Sequence, residues 1–204
     1  MMRPEYKVTL LGAGGVGKSA ITLRIVSGTF TPTYNPTIED YYRHEASISN
    51  VGPCVVEILD TAGTEQFASM RQLYISNSQS FAIIYSIDSQ ESFEEAKQIY
   101  TDIVEIKPAN ELAIVLVGNK CDMSNDKREV STSEGAQAAK NMSNCHFIET
   151  SAKENTNVTQ LFEKLVCLAR DNVQSSSRSK HPSNGKGKKK KDGSRPRKSG
   201  CTIL

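Results

Sequence analysis

Residues 12–19 read GAGGVGKS. They follow EYKVTLL (5–11), a β-rich run that predicts a strand, and precede a helix predicted from Lys18 to about residue 27. A strand that stops at glycines and restarts as a helix fixes a tight turn at one end of a sheet. The spacing G-x-x-x-x-G-K-[ST] in that context lets backbone N–H groups point inward around phosphate oxygens, with the positive end of the helix behind them. Gly14, Gly15, Val16, Gly17 and Ala20 would complete the cradle. Lys18 would reach the β- and γ-phosphates, and the Ser19 hydroxyl would bind Mg²⁺. A glycine-rich turn that only joins two elements is the plainer alternative. The motif alone does not separate ATP from GTP.

The remaining pattern decides the fold class. Strands are predicted at 41–49, 53–59, 81–87, 112–117 and 146–149, with a turn at 50–52 and loops at 28–40 and 60–66. Helices are predicted at 67–76, after a Ser89 cap with Phe93, Ala96, Tyr100 and Ile103 on one face, and near 133–142. The last helix carries Val158, Leu161, Phe162, Leu165, Leu168 and Ala169 on one stripe. Strands alternating with helices imply an α/β fold, a mostly parallel sheet covered on both faces.

Composition divides the chain in two. From Asp171 onward ten Lys/Arg face two Asp/Glu, net +8; the rest holds fifteen against twenty-one, net −6. Opposite signs imply separate tasks. Residues 172–200 have almost no apolar side chain and read as a disordered polybasic tail behind a domain at 1–171. No apolar run is long enough to span a bilayer, and the N-terminus lacks a signal core. Five cysteines (54, 121, 145, 167 and 201) without close pairs or metal-ligand spacing fit reduced thiols.

NKCD (119–122) follows the apolar strand LAIVLVG, and ETSAK (149–153) follows the strand near His146. Both resemble the guanine-recognition motifs of small GTPases of the Ras superfamily. The resemblance covers roughly residues 5–170 and implies a P-loop GTPase domain with a six-stranded sheet. The chemistry is coherent with it. Guanine offers N1–H and N2–H₂ donors, which the Asp122 carboxylate accepts, and an O6 acceptor for the Ala152 N–H. Adenine would leave those groups unpaired. Asn119 would brace the pocket and meet the imidazole side of the base. The Lys120 stem would lie along its plane and Phe30 over its edge, with Ser151 and Lys153 completing the loop. GTP or GDP with Mg²⁺ is the implied ligand set.

PTYNPTIEDYY (32–42) resembles the first switch of this family. Thr37 would bind Mg²⁺ through its hydroxyl and the γ-phosphate through its N–H, and Tyr34 could close over the phosphates. In LDTAGTEQF (59–67), Asp60 would hold the ion and the Gly63 N–H would meet the γ-phosphate. Loops ordered this way are released on hydrolysis. Asn35 stands where the family commonly has Asp, and the turn at 50–53 has one apparent extra residue. Tyr34, Asn35, Pro36, Thr37, Ile38, Glu39, Asp40, Tyr41 and Tyr42 resemble an effector surface whose strand a partner could extend. The plainer alternative is a solvated acidic loop.

Within the superfamily the chain is most similar to Ras and Rap. Thr64 and Phe67 lean towards Rap, while Thr33 matches neither pattern. Most relatives have Gln where Thr64 stands. That amide orients the attacking water, and Thr is too short to touch water and phosphate together. The resemblance therefore implies slow intrinsic hydrolysis resting on Thr64, Gly63, Lys18 and an unobstructed Gly14. It also implies an activating protein that completes the site, with Asn rather than Arg if it resembles Rap-directed activators. An exchange factor and effectors with Ras-binding-type domains are the other implied partners.

Cys201-Thr202-Ile203-Leu204 matches C-a-a-X, with Leu favouring geranylgeranylation of Cys201. One lipid chain anchors only marginally, and a polybasic patch is a common second signal. Lys186, Lys188, Lys189, Lys190, Lys191, Arg195, Arg197 and Lys198 supply it. The expectation is lipid anchoring at the cytoplasmic face of the plasma membrane or an endomembrane, on an anionic surface. Three alternatives stay open: a GTP-loaded scaffold with negligible hydrolysis, an ATP-using P-loop enzyme that Asp122 disfavours, and a nucleic-acid binder resting on the tail alone.

Overall fold

The computed structural model describes residues 3–33, 35–63, 68–78, 80–108 and 112–179. Within them six strands form one sheet: β1 (Glu5–Leu11), β2 (Glu39–Ile48), β3 (Gly52–Thr61), β4 (Ser80–Ser86), β5 (Ala113–Asn119) and β6 (Cys145–Glu149). Their order is β2-β3-β1-β4-β5-β6. The β1–β3, β1–β4, β4–β5 and β5–β6 pairs are parallel, and β2 runs antiparallel to β3. Among the described residues five α-helices flank the sheet: α1 (Lys18–Ser27), α2 (Ala68–Asn77), α3 (Gln90–Ile106), α4 (Thr132–Asn141) and α5 (Val158–Ser179).

The strand period of two sorts the core into layers. On β4, Ala82 and Ile84 join Val115 and Val117 of β5 beneath α1 and α5. Phe81, Ile83 and Tyr85 join Ile114 and Leu116 beneath α2, α3 and α4. Every residue of β4 and β5 is buried, as a sheet covered on both faces requires. Helix α3 buries Phe93, Ala96 and Ile103 of the expected stripe and α5 buries Val158, Leu161, Phe162 and Leu165, with Ile99 and Val166 added, while Ala169 is half-buried. Leu168 is only half-buried against the core, and the half-buried Tyr100 donates its hydroxyl to the Ser143 carbonyl, 3.1 Å away. The Ser89 side chain caps α3 by accepting from the Ser92 N–H, 3.1 Å away.

Most element boundaries shift by one or two residues from the sequence expectation, and three shifts have an identifiable cause. Strand β2 begins at Glu39 rather than 41, and β3 runs through Asp60 and Thr61 instead of ending at Leu59. Ladder partners on both sides carry it on, because Asp60 pairs in register with Leu10 of β1 and with Asp40 of β2. The Thr61 hydroxyl adds a bond to the Leu10 carbonyl at 2.7 Å. Helix α5 continues to Ser179, eight residues into the stretch expected to be a disordered tail. A polar composition excludes burial, but it does not stop a helix whose nucleus is already packed upstream and which meets no Gly or Pro.

Strand β2 forms one edge of the sheet and carries a cross-strand network of ion pairs. Arg43 bridges Glu5 at 2.7 Å and Glu57 at 3.3 Å, and Arg3 pairs with Glu45. All are on the solvated face, where each pair contributes little singly.

One core position works against stability. The fully buried Tyr85 ring packs against Phe93 with centroids 4.8 Å apart, but its hydroxyl has no hydrogen-bond partner among the described residues. Burial holds its pKa above the ordinary value. Tyr85→Phe should raise the free energy of unfolding by about 1 kcal/mol in a urea titration. A loss of stability would show that the hydroxyl is satisfied in solution.

Candidate functional site

A groove of about 830 Å³ opens where the loops after β1, β5 and β6 meet the start of β2. Its phosphate-like end is the GAGGVGKS turn. Gly17 sits at φ 99°, and a Cβ there would collide with the Asn119 amide. Lys18 is buried, and its ammonium donates to the Gly12 and Ala13 carbonyls at 2.9 and 2.8 Å. That uses two of its three donors and leaves one for an anion. Burial lowers its pKa to about 8, while Asp60 pulls it upward. A dianionic ligand would restore the charge that burial opposes.

Beside Lys18 the structure collects three oxygen-bearing side chains from separate segments. The Ser19 and Thr37 hydroxyls lie 2.8 Å apart. Asp60 is fully buried, and neither carboxylate oxygen has a hydrogen-bond partner among the described residues. Burial raises its pKa from 3.8 to about 6, only partly offset by Lys18 and by the Ser19 hydroxyl, which lies near the carboxylate but outside hydrogen-bond geometry. The folded state therefore favours protonated Asp60, and that contribution to stability is lost as pH rises through about 6. At neutral pH a buried, unpaired carboxylate is a cost that a cation would remove. Two hydroxyls and a carboxylate are hard oxygen donors suited to Mg²⁺, which completes its shell with water and phosphate oxygens. Gly63 packs so closely on the Ala13–Gly14 backbone that a Cβ would overlap it, which brings the 60–63 segment to the same place.

The opposite end is built by NKCD and ETSAK. Asn119 is almost wholly buried at the end of β5. Its amide donates to the Val16 carbonyl at 2.8 Å and accepts from the Thr150 hydroxyl at 3.1 Å. Asp122 accepts from the Ser151 hydroxyl at 2.5 Å, with the Lys153 ammonium 3.8 Å from its other oxygen. The Cys121 N–H donates to the Thr150 carbonyl at 3.0 Å. These bonds fix Asp122 and Ala152 on one side of the groove as acceptor and potential backbone donor. Lys120 takes a left-handed backbone, φ 67°, and its ammonium lies 3.6 Å from Asp88, which leaves its stem along the groove. Phe30 lines the same end.

Of the expected nucleotide and metal residues, the groove is lined by Gly14, Gly15, Gly17, Lys18, Ser19, Ala20, Phe30, Thr37, Gly63, Asn119, Lys120, Asp122, Ala152 and Lys153. Val16 and Ser151 are buried behind it, where Val16 receives Asn119 and Ser151 orients Asp122. Asp60 likewise sits beneath the surface. Tyr34, Thr64, Phe67, the 186–198 basic run and Cys201 lie outside the described residues.

Along the expected effector stretch, Ile38 and Tyr41 are 75% and 72% exposed, large apolar side chains left in solvent at a sheet edge. Asn35, Pro36 and Asp40 are also exposed. Glu39 instead receives the Tyr74 hydroxyl of α2, and Tyr42 packs partly against the core. Arg24 of α1 escaped the sequence reading. It donates to the Ala152 and Lys153 carbonyls, but nothing local distinguishes it from a solvated helix-end cation.

Residues 7–171 match a family model described as Ras family.

Asn119→Ala removes the amide that links the two ends and leaves the Val16 carbonyl and Thr150 hydroxyl unpaired. It should cost about 2 kcal/mol of stability by urea titration. Thr150→Val removes only the second bond and should cost visibly less; equal losses would contradict the bridge.

Proposed function

The chain belongs to the Ras family of small GTPases, and we propose that it is a Rap-like switch that hydrolyses GTP slowly and signals from a membrane. The observation that carries the guanine reading is the Asp122 carboxylate, oriented by the Ser151 hydroxyl at 2.5 Å, across the groove from Lys18. An ionised acceptor there suits the N1–H and N2–H₂ edge of guanine and repels the acceptor edge of adenine.

The residues divide the work. The phosphate loop and Lys18 hold the β- and γ-phosphates; Ser19, Thr37 and Asp60 would hold Mg²⁺. The ion, when bound, neutralises charge developing on the phosphate oxygens. A water attacks the γ-phosphorus in line with the bond to the β–γ bridging oxygen, which leaves on GDP. Thr37 and Gly63 contribute N–H groups that sense the γ-phosphate, so its loss frees both segments. The stretch from Asn35 to Tyr42 meets effectors, with exposed Ile38 and Tyr41 as apolar anchors. Asn35, where relatives carry Asp, removes one charge from that surface.

Thr64 replaces the amide that would orient the water, so an activating protein supplies the missing group. Geranylgeranylated Cys201 and the basic run place the chain on an anionic cytoplasmic leaflet. No helix among the described residues is long and apolar enough to cross a membrane.

Single-turnover hydrolysis of bound GTP tests the catalytic part. Thr64→Gln should raise the intrinsic rate about tenfold, equivalent to about 1.4 kcal/mol of barrier. Unchanged intrinsic and activator-stimulated rates would refute the role of Thr64. Undetectable phosphate release from wild type, with or without an activator, would favour the GTP-loaded scaffold that Thr64 also permits. Chelating Mg²⁺ should speed release of labelled GDP from wild type at least tenfold. That factor should shrink towards one in Asp60→Ala.

A further inference from the structure

Arg24 commits all three guanidinium nitrogens to backbone carbonyls. Nε donates to Ala152, Nη2 to Lys153 and Nη1 to Gly28, each at 2.7 Å. The guanidinium carbon also lies 5.8 Å from the centre of the Phe30 ring. Two of these carbonyls belong to the loop whose Ala152 N–H faces guanine O6 in the proposed reading. The third belongs to the turn that leads from α1 to Phe30. The Arg24 carbonyl in turn receives the Gly28 N–H at 3.1 Å, so that turn is held from both sides.

We propose that Arg24 is a positioning residue that clamps the base-recognition loop and the Phe30 cover to α1, and thereby sets how long guanine nucleotide stays bound. It touches neither phosphate nor base. It acts by removing freedom from the groups that do, since a loop already held in its bound form loses less entropy when the ligand arrives. The planar fork matters, because a lysine ammonium on a flexible stem cannot hold carbonyls on two separate segments with the same geometry. The bland alternative is that Arg24 only neutralises the negative end of α1, where it is the one basic residue of the last turn. That role would affect the fold and not the base end in particular.

The inference rests on guanine nucleotide occupying the groove, and the experiment separates the two. Full-length wild type, Arg24→Ala and Arg24→Lys are loaded with fluorescent GDP and chased with excess GDP. Arg24→Ala should release the probe at least about tenfold faster, as loss of charge-assisted hydrogen bonds implies. Arg24→Lys should recover part of the difference. The acceleration of release by chelating Mg²⁺ should keep its wild-type factor in Arg24→Ala, because the phosphate and metal end is intact. Single-turnover GTP hydrolysis should stay within twofold of wild type. Release from Arg24→Ala within twofold of wild type overturns the clamp. So does a chelation factor or hydrolysis rate that falls in step with faster release, which would mean general loosening of α1. Wild type that fails to bind the probe overturns the guanine reading itself.

Discussion

The Asn119 side chain is the bond on which the groove depends. One buried amide donates to the carbonyl of Val16 in the phosphate loop and accepts from Thr150 in the base loop. Those loops leave β1 and β6, and Asn119 itself ends β5. Three strand ends are thus tied at a single point, in a setting where an unpaired polar group would be costly. The absence of a Cβ at Gly17 is what makes room for the amide. The distance between the two halves of the groove is therefore set by the sheet, and the sheet is rigid because β4 and β5 are buried on both faces.

Around that point, charge is arranged against its own interest. Asp60 and Lys18 are both buried, and their pKa values move towards the neutral forms, to about 6 and about 8. Each would be relieved by a ligand of opposite sign, a cation for Asp60 and a phosphate for Lys18. The groove's own charges oppose burial, so a cation and a phosphate bound there would gain energy by offsetting that cost. Backbone and packing elsewhere compensate for it, as fixed strain at functional sites generally requires.

Much of this was legible in the sequence, for identifiable reasons. Ser19, Lys18, Asn119 and Asp122 are readable because their chemistry fixes a short local spacing at a strand end. The sheet is readable because β4 and β5 are continuous apolar runs. Strand ends were less so: Asp60 and Thr61 stay in β3 through partners on β1 and β2 that no local window contains. Arg24 was invisible for the same reason, carried further. Two of its three partners are main-chain carbonyls more than a hundred positions away, and a carbonyl leaves no mark in the residue alphabet. The helical continuation of α5 to Ser179 was hidden because hydropathy measures burial, whereas helix propagation is a backbone matter.

The ion pairs on β2 have a consequence for the protein as a colloid. A sheet edge with open N–H and C=O groups is a template for any passing strand, including another copy of itself. The apolar Ile38 and Tyr41 sharpen that hazard. Arg43 and Glu45, locked to Glu5, Glu57 and Arg3, line the rest of the same strand with alternating charge. An identical strand laid alongside in parallel register would set Arg43 against Arg43 and Glu45 against Glu45. The edge can therefore stay open to a chosen partner while resisting self-association, and that protection weakens as salt screens the charges.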